Sequence, residues 1–125
     1  MVEEITIEKL YEELYDRLNN MKGLVNMYIG KTQNVEQRRK EHKKDYTYTK
    51  EIAYGNATII NKAEKYLISK FKQSPFNCKN IGEGGEGDID ADKLYISYNY
   101  DKKQMKSMEE LEDDELDIIS YKLKN

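Results

Sequence analysis

Tyr28-Ile29-Gly30-Lys31-Thr32-Gln33-Asn34-Val35-Glu36-Gln37-Arg38-Arg39-Lys40-Glu41-His42 is the stretch that decides the fold. β-forming residues cluster at its start and Gly30 ends the run, so a short strand over residues 26–30 is predicted. Thr32 or Asn34 can then cap a basic helix that begins near Val35. The stretch therefore predicts a strand, a turn and a cationic helix in immediate succession.

The side chains of this strand and helix predict a chemical site. Tyr28 and Gly30 share one face of the strand, because successive strand residues point to opposite faces. Arg38 and His42 are four residues apart and project from one face of the helix. A tyrosine, an arginine and a histidine are therefore expected to meet where the strand runs into the helix.

This arrangement resembles the second half of the GIY-YIG nuclease signature, in which a Tyr-Ile-Gly strand precedes a helix that bears an arginine. In that family the arginine lies ten residues after the tyrosine, and several branches carry a histidine four residues further on. Tyr28, Arg38 and His42 reproduce both intervals, and Lys31 matches a lysine of other branches, including the excision-repair nuclease subunit. The likeness covers roughly residues 24–87, and the glycine-rich residues 81–88 look similar to a segment of short phage-type members.

The resemblance implies metal-dependent cleavage of DNA phosphodiester bonds. It assigns catalytic roles to Tyr28, Lys31, Arg38 and His42, and it makes Glu64 on a later helix the ligand of one Mg²⁺ or Mn²⁺ ion. Such chemistry needs an activated water and neutralisation of developing charge. A phenol serves as the base only where neighbouring cations or a metal-bound water favour the phenolate, and Lys31 and Arg38 are expected to favour it at Tyr28. Asn77 or Asn80 corresponds to the asparagine that follows the glutamate helix in the family.

The first half of the signature is absent or displaced, which leaves two interpretations. The window that should hold the GIY strand contains Tyr15 within a helical pattern. Either the domain is catalytically degenerate, or the missing strand comes from elsewhere in the chain. Residues 93–100 alternate strongly enough to pair beside Tyr28, and that pairing would make a permuted sheet with Tyr95 as a catalytic candidate on the face of Tyr28.

The remaining segments complete an α/β (α+β) prediction, a small mixed sheet flanked by helices in a single domain over residues 1–125. Its core spans about 24–100. Helices are predicted within residues 1–20, over 57–73, and in the acidic tail over 107–123, where Ser107 and Glu110 form a capping-box pattern. Residues 45–54 lack a clear period and are interpreted as a mobile connector with at most a short strand.

Charge is segregated along the chain. Residues 21–80 hold 13 basic and five acidic side chains, although the whole chain has a net charge of −3. A basic centre suits DNA, and Arg39, Lys40, Lys43 and Lys44 are the candidate backbone-binding residues. The alternative is an ordinary solvated face. The acidic helices could contact a protein partner, or compete with nucleic acid for the basic surface.

Composition narrows the functional classes. Cys78 is the single cysteine, so an internal disulfide and a cysteine zinc site are both excluded. No run of about 18 apolar residues indicates a membrane span, and a cytoplasmic location is expected. Two functions remain. One is the endonuclease, and the other is a degenerate GIY-YIG-like module that binds nucleic acid, a nucleotide or a protein without cleaving it.

Overall fold

The architecture is a five-stranded mixed sheet with helices on both faces. The computed structural model describes residues 4–101, 116 and 118–125. In chain order, its elements are β1 (Glu4–Ile5), α1 (Ile7–Asn20), β2 (Leu24–Thr32), α2 (Val35–His42), β3 (Tyr48–Tyr54), α3 (Ala57–Phe71), β4 (Lys93–Tyr100) and β5 (Tyr121–Leu123). The strands lie in the order β1-β5-β3-β4-β2, so β2 is an outer strand. The predicted α/β class is confirmed.

Side-chain caps begin each of these helices. The Thr6 hydroxyl accepts a hydrogen bond from the backbone N–H of Lys9 at 3.1 Å. Asn34, not Thr32, caps α2, and Asn56 caps α3. Caps of this kind typically stabilise a helix by about 1 kcal/mol. The α3 helix ends at Phe71, two residues short of the prediction, and turns follow before Pro75.

The predicted pairing of residues 93–100 beside Tyr28 is confirmed. β4 lies antiparallel to β2 and stands between β2 and β3. Tyr28 is opposite Ser97, and Gly30 is opposite Tyr95. A segment more than 60 residues downstream in the sequence thus fills the place that the sequence leaves vacant beside Tyr28.

The two faces of the sheet have different partners. Met27, Ile29, Leu94 and Ile96 are fully buried in the main hydrophobic core, together with apolar side chains of α1 and α3. On the other face, α2 packs over β3 and β4, and His42 contacts Tyr28, Ser97 and Tyr95. The apolar face therefore holds the fold together, and the α2 face carries Tyr28 and His42.

The interpretation of residues 45–54 as a connector is wrong. Residues 48–54 form β3, which pairs with β4 on one side and with β5 on the other. Thr49, Ile52 and Ala53 are buried, but a bulge between Glu51 and Ala53 breaks the alternation on which a strand prediction depends.

The prediction of an acidic helix over 107–123 is wrong at its end, and residues 102–115 and 117 lie outside the described residues. Tyr121–Leu123 is a strand that pairs in parallel with β1 and β3. Leu116 and Ile118 are buried in the core just before it. Residues 1–20 likewise contribute β1 before the helix. These strands of two and three residues form through non-local pairing, so local periodicity does not indicate them. Among the described residues, none of the helices has the length and apolar character needed to cross a membrane.

Candidate active site

A cleft of about 450 Å³ lies at the outer edge of β2. Its walls come from β2, the end of α2, the middle of α3 and the glycine-rich segment that follows α3. The side chains relevant to chemistry are Tyr28, His42, Tyr46, Glu64, Asn80 and Glu86. Three of the predicted site residues, Tyr28, His42 and Glu64, therefore line one cavity.

The outer edge of β2 is covered by the segment Asn77 to Asn80. The backbone of Met27 accepts from Lys79 N–H at 2.8 Å and donates to the Asn77 carbonyl at 3.2 Å. The Asn80 side-chain amide then completes the edge: its Oδ1 accepts from Ile29 N–H at 2.9 Å, and its Nδ2 donates to the Ile29 carbonyl at 2.8 Å. The Asn80 side chain thus forms the hydrogen bonds that a neighbouring strand would form with Ile29. The N–H and the carbonyl of Ile29 are therefore both satisfied.

Four rings gather on the α2 face of the sheet. The ring of Tyr28 lies 5.4 Å from His42, 6.0 Å from Tyr46 and 6.4 Å from Tyr95, measured between centroids. His42 lies 5.6 Å from Tyr95. Tyr95 therefore shares the face of Tyr28, as the permuted sheet predicts.

Gly30 makes room for Tyr95. A Cβ atom at Gly30 would lie 2.3 Å from both Cζ and the hydroxyl of Tyr95, so the ring occupies the space that a side chain would fill. Tyr95 is almost fully buried and supports Tyr28 from the interior instead of lining the cleft. The packing of the Tyr95 ring thus explains why residue 30 is a glycine in this chain.

The expectation that cations favour a phenolate at Tyr28 is wrong for this geometry. Burial raises the pKa of Tyr28, and the Glu64 carboxylate raises it further, whereas Arg38 opposes both effects. Burial also raises the pKa of Tyr95 far above its usual value. Both tyrosines are therefore neutral hydroxyls near pH 7, able to donate and to accept hydrogen bonds.

His42 is the last residue of α2 and is half-buried. Its Nδ1 atom lies 3.2 Å from the Ser97 hydroxyl, which lies 2.8 Å from the Thr49 hydroxyl. Burial lowers the pKa of His42 and Arg38 lowers it further, against the opposing effects of Glu41 and Asp45. A neutral imidazole is thus favoured near pH 7.

The basic residues of α2 and of the turn that follows it differ in their contacts. Arg39 is committed to the fold, because its Nε and Nη2 atoms donate to the Thr49 carbonyl at 3.0 and 2.8 Å and its Nη1 atom pairs with Glu36. Arg38 pairs with Glu41 at 2.7 Å on the exposed side of the helix. The lysines predicted to bind nucleic acid, Lys40, Lys43 and Lys44, are exposed.

Glu64 and Lys31 form a buried charged pair on the α3 side of β2. The Lys31 ammonium donates to the Asn61 side-chain oxygen and lies 3.6 Å from Glu64 Oε1, and the two side chains are 2% and 9% exposed. Gly85 N–H donates to the same carboxylate oxygen at 2.8 Å. Gly84 allows this approach, because a Cβ atom there would lie 2.8 Å from Lys65 Cα. Lys31 therefore pairs with Glu64, on the opposite side of the strand from Gly30.

The sequence interpretation missed four polar groups at this site. Ser97 and Thr49 lie under His42, and Asn61 and the Gly85 amide hold the Lys31–Glu64 pair. The alternation of residues 93–100 already placed Ser97 on the face of Tyr95, so Ser97 could have been recognised as a site residue from the sequence. No sequence pattern indicates Thr49 or Asn61 as a site residue, because their neighbours in the site are distant in sequence.

Among the described residues, no cluster of three or more histidine, cysteine or acidic side chains could hold a metal ion. The geometry instead offers one buried carboxylate, neutral hydroxyls and an imidazole in the lining of the cleft, and the Arg38 guanidinium outside that lining. The chain matches no protein-family model, no curated protein and no solved structure.

Proposed function

We propose that the protein is a metal-dependent endonuclease that cleaves DNA phosphodiester bonds in the cleft beside β2. The observation that carries the proposal is the convergence of Tyr28, His42 and Glu64, from one strand and two helices, on a single cavity. These are the residue types that phosphodiester hydrolysis uses to orient water, to donate hydrogen bonds and to hold a cation. The resemblance to the GIY-YIG signature supports the same reaction.

The residues present fit one divalent cation. Mg²⁺ keeps several of its waters and is commonly bound by one or two carboxylates together with substrate phosphates, so Glu64 alone is a sufficient protein ligand. Both contacts that hold Glu64 go to Oε1. When bound, Mg²⁺ or Mn²⁺ would neutralise charge that develops on the phosphate oxygens. Glu64 would hold it, and Gly85 and Lys31 would fix the orientation of the carboxylate.

Most of the other side chains would act on the substrate directly. Arg38 would exchange its exposed pairing with Glu41 for a phosphate oxygen, since a guanidinium binds both groups in the same way. Tyr28 would orient the attacking water through its neutral hydroxyl. Lys40, Lys43 and Lys44 would bind the flanking DNA backbone. Arg39 would act indirectly, by fixing α2 to β3.

Two observations favour the second candidate, a binding module without cleavage. Lys31 already neutralises Glu64, and the pKa of Tyr28 is raised, so both groups are less reactive than isolated ones. Such a module would keep the lysines that contact DNA and lack the chemical step.

A plasmid-nicking assay with Mg²⁺ or Mn²⁺ separates the two candidates. We expect the parent to nick, and we expect Glu64→Gln to lower the rate about 100-fold or more, the loss typical of removing a group that stabilises transition-state charge. Glutamine keeps an acceptor for Gly85 N–H but removes the charge that pairs with the buried Lys31 ammonium, so the melting temperature of the variant is measured beside its nicking rate. Glu86→Gln is the matched control, because Glu86 is an exposed carboxylate in the same cleft. Unchanged nicking by Glu64→Gln would remove Glu64 from the mechanism.

Binding is measured separately, by fluorescence anisotropy in EDTA over a range of salt concentrations. Replacing Lys40, Lys43 and Lys44 with alanine should reduce the slope of log K against log salt by about 0.9 for each DNA phosphate that the variant no longer neutralises. The control removes an equal charge at Lys9, Lys70 and Lys122, which lie on α1, α3 and β5 and not on α2 or the turn that follows it. Binding without nicking in the parent would establish the non-catalytic module. Equal slopes for the two triple variants would show that DNA binds at a surface other than α2.

A further inference from the structure

A row of polar side chains crosses three strands directly under α2. Tyr28 on β2 is opposite Ser97 on β4, and Ser97 is opposite Thr49 on β3. Ser97 is completely buried and Thr49 is 5% exposed. His42 Nδ1 lies 3.2 Å from Ser97 Oγ, which lies 2.8 Å from Thr49 Oγ1. The row therefore connects one imidazole nitrogen to two buried hydroxyls.

The protons of this row can be arranged in two directions. In the first, Thr49 donates to Ser97 and Ser97 donates to an unprotonated Nδ1, so each hydroxyl hydrogen has an acceptor. In the second, Nδ1–H donates to Ser97 and Ser97 donates to Thr49. The Thr49 hydroxyl hydrogen then has no acceptor, because the described residues place only Ser97 within its reach. A buried unsatisfied polar group costs about 1–3 kcal/mol, which favours the first direction.

We infer that the Ser97–Thr49 hydroxyl pair fixes His42 as the tautomer that carries its proton on Nε2. Nδ1 is occupied by Ser97, so Nε2–H is the nitrogen left for the cleft that His42 lines. In this tautomer His42 donates a hydrogen bond to a phosphate oxygen and does not take a proton from water. Ser97 and Thr49 are positioning residues. Their part in catalysis rests on the proposed function, whereas the tautomer does not.

The charges around His42 agree with a neutral ring. On its own helix and the following turn, Arg38 lowers the pKa of His42, and Glu41 and Asp45 raise it less than burial and Arg38 lower it. From the strands and the turn, the rings of Tyr28, Tyr95 and Tyr46 pack around it and are neutral hydroxyls. Protonation of Nδ1 would also reverse the hydroxyl row and leave the Thr49 hydrogen unsatisfied.

Nuclear magnetic resonance tests the tautomer directly, because His42 is the only histidine in the chain. Long-range ¹H–¹⁵N correlation spectra near pH 7.5 on the full chain distinguish a protonated nitrogen from an unprotonated one. We expect the proton on Nε2 and an unprotonated Nδ1. A proton on Nδ1 would overturn the inference whether or not the protein cleaves DNA. Absence of nicking with the proton on Nε2 would instead reject only the proposed function.

The variant for this test is the double substitution Ser97→Ala and Thr49→Val. Removing both hydroxyls together avoids leaving one of them unsatisfied, so the melting temperature should stay near that of the parent. Thr49 keeps its carbonyl, which anchors Arg39. We expect His42 to become a mixture of tautomers, and kcat for nicking to fall on the order of 10-fold or more with KM unchanged.

The conservative variant Thr49→Ser retains the hydroxyl row. It should keep the parent tautomer and the parent kcat, which separates the hydroxyl from the shape of the side chain. A double variant with the parent tautomer ratio and the parent kcat would overturn the positioning role. If the double variant fails to fold, Ser97→Ala alone provides the same two readouts.

Discussion

The two faces of strand β2 are held by different forces. Met27 and Ile29 point into an apolar core closed by α1 and α3. Tyr28 and Gly30 face α2, a helix in which only Val35 is buried. This helix is fixed instead by polar contacts, Arg39 to the Thr49 carbonyl and His42 to Ser97. Burial of apolar surface stabilises one face, whereas directional contacts set the geometry of the other.

The comparison also separates two neighbouring cations. Lys31 lies on the apolar side and neutralises Glu64 in a nearly dry environment. Arg38 lies on the α2 side, where its partner Glu41 and surrounding water screen its charge. We therefore expect substitution of Lys31 to affect stability and substitution of Arg38 to affect substrate binding.

The largest expected effect follows from this contrast. Lys31→Met leaves the Glu64 carboxylate buried without its ammonium partner, which should lower the free energy of unfolding by about 3–5 kcal/mol. Arg38→Met removes an exposed pair and should cost at most about 1 kcal/mol. Urea denaturation measures both. Adding Glu64→Leu to Lys31→Met should restore most of the loss, because an apolar pair can replace a buried ion pair. Equal stability of the two single variants would contradict the contrast.

A smaller effect is expected where the α2 face is most tightly packed. Gly30→Ala places a Cβ atom 2.3 Å from the Tyr95 ring, so the ring must move. Overpacking of this kind should cost about 1–3 kcal/mol of unfolding free energy. In the background Tyr95→Leu the same substitution should cost clearly less, because the obstructing ring is gone. A cost that does not change between the two backgrounds, measured as a double-mutant cycle, would show that Tyr95 is not the obstacle.

The smallest effect concerns pH. The pKa of His42 is lowered in the folded protein by burial and by Arg38, so the folded state binds its proton less readily than the unfolded state. Its contribution to stability is present above pH ~6.5, the unfolded value, and is lost as pH falls through the lower folded value. His42→Gln should therefore flatten the fall in unfolding free energy between pH 7.5 and about pH 5.5. Identical slopes for parent and variant would remove His42 as the cause.

The position of the C-terminal residues in the sheet decides which experiments can test the acidic tail. The sequence favours a separable helix, and deletion from Ser107 would then be a simple test of its effect on DNA binding. The structure places Tyr121–Leu123 between β1 and β3, with Leu116 and Ile118 in the core. Such a deletion would remove part of the sheet, so charge-neutralising substitutions are the appropriate way to test the tail.

The amino-acid sequence by itself determined the local elements and half of the candidate site. Helical periodicity predicted α1 and α3, a polar cap before a basic run predicted α2, and strict alternation predicted β4, because these signals arise between residues a few positions apart. The spacing of Tyr28, Arg38 and His42 was sufficient to identify a candidate site. Even the pairing of β4 with β2 followed from an alternating strand, together with the neighbour that the resemblance to the GIY-YIG signature leaves missing.

Only the tertiary structure decided the remainder. The strands β1, β3 and β5 depend on partners distant in the chain, so their own residues do not indicate them. The raised pKa of Tyr28 depends on burial and on Glu64, 36 residues away in the sequence. The hydroxyl pair under His42 exists because β3 and β4 meet in register. Burial, charge and proton direction are properties of packed neighbours, and the fold alone selects those neighbours.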